Sequence, residues 1–261
     1  MHDVNVILLV GVLVLIVNIS ACVGCALYVA ERMRQVHKSA AVSTAAFLPL
    51  HCSGHHDNFI SCNSTVPSFH VLIATIGRGS LTRLLHSLER QLQSGDACTI
   101  VFDGISVPDR FMEAFQFAEG VYVVAIQQQP NLGYWGHGIR TLYQKHLLPR
   151  TTFIMHADDD DVYVDDAFHT LRRLCIDKNM LYIARMELPA GEIIPRVMNQ
   201  EITPADIGTP CGIIPFHIAH EACWPCVVGG DYEYYKAVQT FASSGMTMLD
   251  AVIYRVRPST S

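Results

Sequence analysis

Four consecutive carboxylates, Asp158-Asp159-Asp160-Asp161, are the residues in this chain best suited to chemistry. Adjacent aspartates repel one another and are costly to dehydrate, so a cation is expected among them. Hard oxygen donors suit Mg2+ or Mn2+, which take one or two carboxylates and complete their shell with substrate phosphate oxygens. A metal held this way can stabilise the charge that develops on a departing diphosphate. Asp165 and Asp166 lie where the next helix should begin and fit the simpler task of facing its N-terminal dipole.

The bulk composition agrees with an anionic ligand that needs a local cation. The chain carries a net charge of -6, which gives no electrostatic reason to expect nucleic-acid binding. Half of its 261 residues are hydrophobic and 16% are charged. Part of that excess lies at the N-terminus, where no charged residue occurs between Asp3 and Glu31. The run is long enough to cross a bilayer as a helix and lacks the basic start of a signal peptide. The reading is a membrane anchor over 1–31, a stem over 32–68 rich in Ser, His, Ala and Thr, and one domain over 69–261. Orientation signals conflict. Arg32, Arg34 and Lys38 place the domain in the cytoplasm by the positive-inside rule, whereas the Asn63-Ser64-Thr65 sequon matters only in a lumenal domain. Cys52 and Cys62 could close a small loop in the second case.

The elements that must position the carboxylates alternate strand and helix. FHVLIATI (69–76) has the character of a buried parallel strand. Ser80 can cap a helix whose Leu81, Leu84, Leu85, Leu88 and Leu92 share a face, with Gly95 ending it. Residues 98–102 form a second strand closed by Asp103-Gly104. A helical stretch over 109–118, a strand over 121–126 and a helix over 138–148 follow. Strand 152–155 leads directly into the acidic cluster, then come a helix over 165–175 and a strand over 181–186. Such alternation predicts a mostly parallel sheet with helices on both faces. Its ligands bind beyond the strand C-termini, which selects 75–80, 103–106 and 156–161.

These ordered segments resemble nucleotide-sugar glycosyltransferases of the GT-A (Rossmann-like) fold, especially the large family-2-like group, from about His70 to the C-terminus. VLIATIGR looks like the first strand and nucleotide-binding turn, IVFDGIS like the second strand. NLGYWGHGIRT is similar to the Asn-x-Gly…Arg segment, and FIMHADDDDVY to the Asp-x-Asp metal motif. GGDYEYYKAV lies where the family has an acidic catalytic residue, and AVIYRVR resembles its C-terminal strand. The tetrad is also similar to that of animal glucuronosyltransferases, and small viral glycosyltransferases carry comparable segments. One departure is Gly230-Asp231, where the family has an acidic pair.

The resemblance implies transfer of a sugar from a nucleotide-diphosphate donor, UDP-linked by expectation, to a hydroxyl on a glycan, glycoprotein or lipid, with Mn2+ or Mg2+ as cofactor. An endoplasmic reticulum or Golgi membrane is the expected location. Thr75 and Arg78 would contact the nucleotide, Asp103 the base or ribose, and Arg140 the phosphates or the tetrad. Asp158 and Asp160 would hold the metal, as alternate residues of an extended segment, and Asp159 would meet the ribose. Asp231 would be the general base, with Glu233 as fallback. On the residues alone, Asp103 equally fits an Asp-Gly turn and Asp231 the N-cap of YEYYKAV. Tyr134, Trp135, Trp224 and Tyr232 could stack on a sugar or fill the core.

Cys211, His217, His220, Cys223 and Cys226 have spacings that fit zinc, a disulfide or neither. His217 could instead complete the shell of the catalytic metal. Two other functions remain open: a nucleotidyltransferase, which would want a longer glycine-rich basic loop than Gly77-Arg78-Gly79, and a non-catalytic membrane-tethered glycan-binding protein, against which the intact tetrad argues.

Overall fold

The computed structural model describes residues 66–148, 150–196 and 201–258. The anchor, the sequon and nearly all of the stem lie outside the described residues. Among the described residues no helix is long and apolar enough to cross a membrane.

A nine-stranded mixed sheet organises the chain. The strands are β1 (Phe69–Thr75), β2 (Ala97–Asp103), β3 (Tyr122–Gln128), β4 (Phe153–Asp158), β5 (Val162–Tyr163), β6 (Leu181–Glu187), β7 (Ile193–Ile194), β8 (Gly212–Pro215) and β9 (Met246–Arg255). Their order is β3-β2-β1-β4-β8-β6-β9-β5, with β7 on β6. β1 to β4 are mutually parallel, and β6 is parallel to β9. β8 runs antiparallel between β4 and β6, while β5 and β7 are short antiparallel additions. The expected parallel character therefore holds for most of the sheet. β1, β2 and the first five residues of β4 are buried throughout, consistent with their continuous apolar runs.

Helices cover both faces. α1 (Leu81–Glu89) buries Leu81, Leu84, Leu85 and Leu88 as its leucine spacing predicts. It shares a face with α3 (Ala167–Leu174): Gln91, just past α1, accepts a hydrogen bond from Phe168 N at 3.3 Å and donates to Val164 O at 3.0 Å. α2 (His137–Tyr143) and α4 (Gly230–Gln239) meet on the other face, where Tyr234 Oη donates to Gln144 Oε1 at 3.0 Å.

Some local expectations need correction. Ser80 precedes α1 but makes no side-chain cap. Residues 109–118 hold only a 3-10 turn at Phe111–Ala114, because Met112 and Phe111 pack on the core without the apolar spacing that would extend a helix. α2 stops at Tyr143, short of residue 148. Asp166, with φ 61°, precedes α3 in a left-handed conformation.

Side chains alternate across β4. Phe153 packs towards α3, its ring 5.8 Å from that of Phe69, which contacts Phe168. His156 faces the opposite way, 4.9 Å from Trp224 and 6.1 Å from Tyr234. Asp158, two residues on, shares that side and points at Arg140 of α2. The period of the strand thus delivers one carboxylate of the tetrad to the α2–α4 face.

Candidate active site

A cleft of about 660 Å³ opens beyond the C-terminal ends of β1, β2 and β4. It is lined by Thr75, Arg78, Asp103, all four tetrad aspartates and Asp231, so the structure brings nearly every predicted site residue together. Arg140 does not line it: this residue is fully buried and reaches the cleft only through its ion pair to Asp158.

The four aspartates have separate surroundings. Asp158 is the last residue of β4, and its backbone is pinned by Tyr254 Oη, which accepts from Asp158 N at 3.1 Å and donates to Asp158 O at 3.2 Å. Asp159 is 2% exposed and fully engaged: it accepts from Thr75 Oγ1 at 2.6 Å, Ile76 N at 3.3 Å and Arg78 Nη1 at 2.8 Å. Asp160 accepts from Arg257 Nε at 2.9 Å and lies 3.3 Å from Arg78 Nη1. Asp161 accepts from Arg257 N at 2.9 Å. Burial, reinforced by Asp158 and Asp160, pushes the Asp161 carboxyl up to about 7.

This geometry revises several expected roles. Asp159 and Asp160 lie in a turn, so Asp158 and Asp160 reach the cleft through a bend instead of one extended segment. The Thr75 hydroxyl is committed to Asp159 and accepts from Gly77 N at 2.8 Å. Thr75 therefore orders the turn that carries Arg78. Asp103, 4% exposed, accepts from Leu132 N at 2.7 Å and Gly133 N at 2.9 Å. Its carboxylate is spent on the backbone of the 131–133 loop, and burial raises its pKa while the Leu132 and Gly133 amides oppose the shift.

Asp231 occupies the first turn of α4 and faces the cleft, whereas Glu233 is exposed and does not line it. Asp231 makes no cap; it accepts from Thr209 Oγ1 at 2.7 Å. Burial raises its pKa, while Thr209, Arg140 and His137 oppose the shift. The preceding Gly230 is there for space: a Cβ would sit 2.6 Å from Pro225 O and 2.8 Å from His137 Cε1. That close approach explains why an acidic pair does not stand here.

His137, Thr209 and Arg257 also line the cleft and escaped the reading of the sequence. The His137 Nδ1 atom is 2.6 Å from Pro225 O, and burial, then Arg140, lowers its pKa. The only hint of Arg257 in the sequence is its place just after the last strand.

Other candidates lie elsewhere. Trp224 is fully buried, stacked on Tyr234 at 4.0 Å, and belongs to the core. Tyr232 does not line the cleft, and neither does His217. The zinc reading fails on placement: Cys211 is buried, His217, His220 and Cys223 are exposed, and among the described residues no group of three His, Cys, Asp or Glu could hold a metal.

Asp158 Oδ2 and Asp160 Oδ1 accept no hydrogen bond from a described residue. Two carboxylates lining one cleft could hold Mg2+ or Mn2+ if phosphate oxygens supplied the rest of the shell.

Two glycosyltransferases are among the solved structures similar to this chain. One is S. aureus TarS in complex with UDP-GlcNAc, at 18% identity and a TM-score of 0.57, covering 74% of this chain and 59% of that one. The other is the mannosyltransferase PcManGT from Pyrobaculum calidifontis in complex with GDP-Man and Mn2+, at 12% identity and a TM-score of 0.52, covering 73% and 56%. The chain thus spans less than two thirds of either. No family model and no curated protein sequence matches it. What these likenesses establish is the fold, a mixed α/β glycosyltransferase-like sheet.

Proposed function

We propose that the protein is a metal-dependent glycosyltransferase that moves a sugar from a nucleotide-diphosphate donor to a hydroxyl acceptor. The observation that carries this reading is the convergence, at the strand ends of one cleft, of the acidic turn, the cations Arg78 and Arg257, and the half-buried Asp231. Ligands of open α/β sheets bind at this place. Structures of similar fold contain UDP-GlcNAc, or GDP-Man and Mn2+, which favours a nucleotide sugar over other phosphate esters.

Each residue then has a task. Asp158 and Asp160 would hold Mn2+ or Mg2+, which when bound neutralises charge on the diphosphate. Arg78 and Arg257 present guanidinium groups suited to paired hydrogen bonds with phosphate oxygens. Asp159 and Thr75 keep Arg78 and its turn in place. Asp231 accepts the proton of the acceptor hydroxyl as that oxygen bonds to the anomeric carbon, and the diphosphate leaves with the bonding electrons. A carboxylate whose pKa is raised by burial is a stronger base than an ordinary one.

The test is donor turnover by the full chain with a panel of UDP- and GDP-sugars, with Mn2+ and with chelator. Release of nucleoside diphosphate that requires the metal and is lost in Asp160→Ala is expected. Absence of turnover with every donor, or undiminished turnover by Asp160→Ala, would overturn the reading. We propose further that the apolar N-terminal run anchors the domain in an endoplasmic reticulum or Golgi membrane. Protease protection in sealed microsomes reports on which side the domain lies.

A further inference from the structure

Four consecutive residues, Gly133, Tyr134, Trp135 and Gly136, have positive φ of 67°, 55°, 52° and 84°. Glycine adopts such angles freely, but two aromatic residues do not. Each costs on the order of 1–3 kcal/mol and persists only when its surroundings force it. Those surroundings are visible. Asp103 takes the Leu132 and Gly133 amides at the start of the run, and Arg140 Nη1 donates to Trp135 O at 2.9 Å at its end. Both clamps are buried. Gly136 has no room for a side chain, since a Cβ would lie 2.6 Å from that of Ala74.

The result of this strain is a Trp135 indole that is 68% exposed on the cleft wall. Folding would ordinarily bury so large a ring, so the backbone is being held against the hydrophobic effect. Trp135 stands 6.4 Å from the His137 ring, and His137 abuts Gly230, the neighbour of Asp231. Trp135 and the proposed base Asp231 line the same cleft, with His137 between their segments. Val227 and Val228, 38% and 87% exposed, add apolar surface to the same cleft. Among the described residues that line the cleft, the guanidinium groups are those of Arg78 and Arg257. The exposed Arg78 and Arg257 are engaged at Asp159, Asp160 and Asp161, and the Arg140 guanidinium is buried against Asp158.

We infer that Trp135 is the platform for the acceptor, and that the acceptor is an uncharged sugar whose C–H face stacks on the indole and whose hydroxyl meets Asp231. The inference rests on the glycosyl-transfer reading above. An aromatic face with aliphatic neighbours and a single carboxylate suits a pyranose ring, which is apolar on its faces and polar at its rim. An anionic acceptor, such as a phosphate-linked polyol, would meet Asp231 and Asp158, with Arg78 and Arg257 of the same cleft given over to the donor diphosphate.

The chain has two tryptophans, and Trp224 is fully buried, so iodide quenching of fluorescence reports on Trp135. The full-length protein with saturating UDP and Mn2+ is titrated with methyl glycosides and disaccharides of neutral sugars, and separately with glycerol phosphate. At least one neutral glycoside is expected to protect Trp135 from iodide, and glycerol phosphate is not. With that glycoside as acceptor, Trp135→Ala should raise its KM about tenfold, the equivalent of about 1.4 kcal/mol of ring contact, and Trp135→Phe should restore most of it. Calorimetric affinity for UDP should match that of the wild type in both variants. Full protection by UDP and Mn2+ alone would assign Trp135 to the donor and overturn the inference. Protection by glycerol phosphate only, or by nothing while a donor is turned over, would also overturn it. Failure to bind or turn over any nucleotide sugar would instead remove the transferase reading beneath it.

Discussion

Arg140 and Asp158 form an ion pair with unequal ends: the guanidinium is fully buried, while the carboxylate is 34% exposed to the cleft. Removing either end therefore has a different consequence. Asp158→Ala leaves a cation in the interior whose remaining partners are Trp135 O, the Trp224 ring 5.2 Å away and the field of Asp231. The loss should be about 3 kcal/mol of unfolding free energy. Arg140→Met leaves a carboxylate that water can reach, and its loss should be about half as large, part of it lost packing. Urea denaturation of the two variants decides the matter, and equal losses would refute the asymmetry.

Asp231 should show a conflict between activity and stability. Asp231→Asn keeps the shape and can still bond Thr209, but it cannot take a proton. Transfer should fall by about 10²- to 10⁴-fold while nucleotide binding stays. Burial raises the folded pKa of Asp231 above its unfolded value. The stability linked to this group is therefore complete below the unfolded pKa and is lost as pH rises through the folded one. Ionisation thus burdens the wild type, so Asp231→Asn should gain in urea midpoint over the wild type as pH rises, with the gap closing towards acid pH. The wild-type rate should fall on the acid side with a midpoint above the ordinary aspartate range.

The fold was legible because its leading strands are buried on both faces and read as continuous apolar runs, as in FHVLIATI and CTIVF. The tetrad was legible because it follows such a run. β8 and β5 were not, because four and two residues carry no period and their partners are remote in the chain. Individual roles were harder still. Asp103 and Thr75 have the residue types of nucleotide contacts, yet their polar atoms are committed to Leu132, Gly133 and Asp159. Residue type announces hydrogen-bonding capacity, and only the folded chain decides who receives it. Arg257 was invisible because it meets Asp160 and Asp161 across 97 and 96 positions.

Metal dependence should be readable without turnover. With Asp158 Oδ2 and Asp160 Oδ1 as donors, UDP should bind more tightly in Mn2+ than in chelator. Asp160→Ala should weaken the Mn2+-dependent part by at least about tenfold, as loss of a direct ligand should exceed loss of an outer-shell partner. Calorimetry at matched ionic strength measures both. Equal UDP affinity with and without Mn2+ in the wild type would exclude this ligand set.

The clamp on the strained loop yields the sharpest separation between a contact and a scaffold. If Asp103 served mainly to hold a nucleoside, Asp103→Ala would weaken UDP binding and leave the ligand-free protein unchanged. The geometry requires the opposite order of effects. Without this carboxylate the Leu132 and Gly133 amides lose their acceptor, and Leu132 is only 7% exposed, so its N–H finds little water. Stranding such donors costs about 1–3 kcal/mol each. Part of the cost is avoidable if the loop relaxes, and relaxation would release Tyr134 and Trp135 from their left-handed angles. Asp103→Ala should therefore unfold about 2 kcal/mol more easily in the absence of any ligand. The emission of Trp135 should change at the same time, while that of the buried Trp224 stays fixed, a separation that Trp135→Phe makes explicit. An unchanged urea midpoint with an unchanged spectrum would show that Asp103 does not clamp the loop.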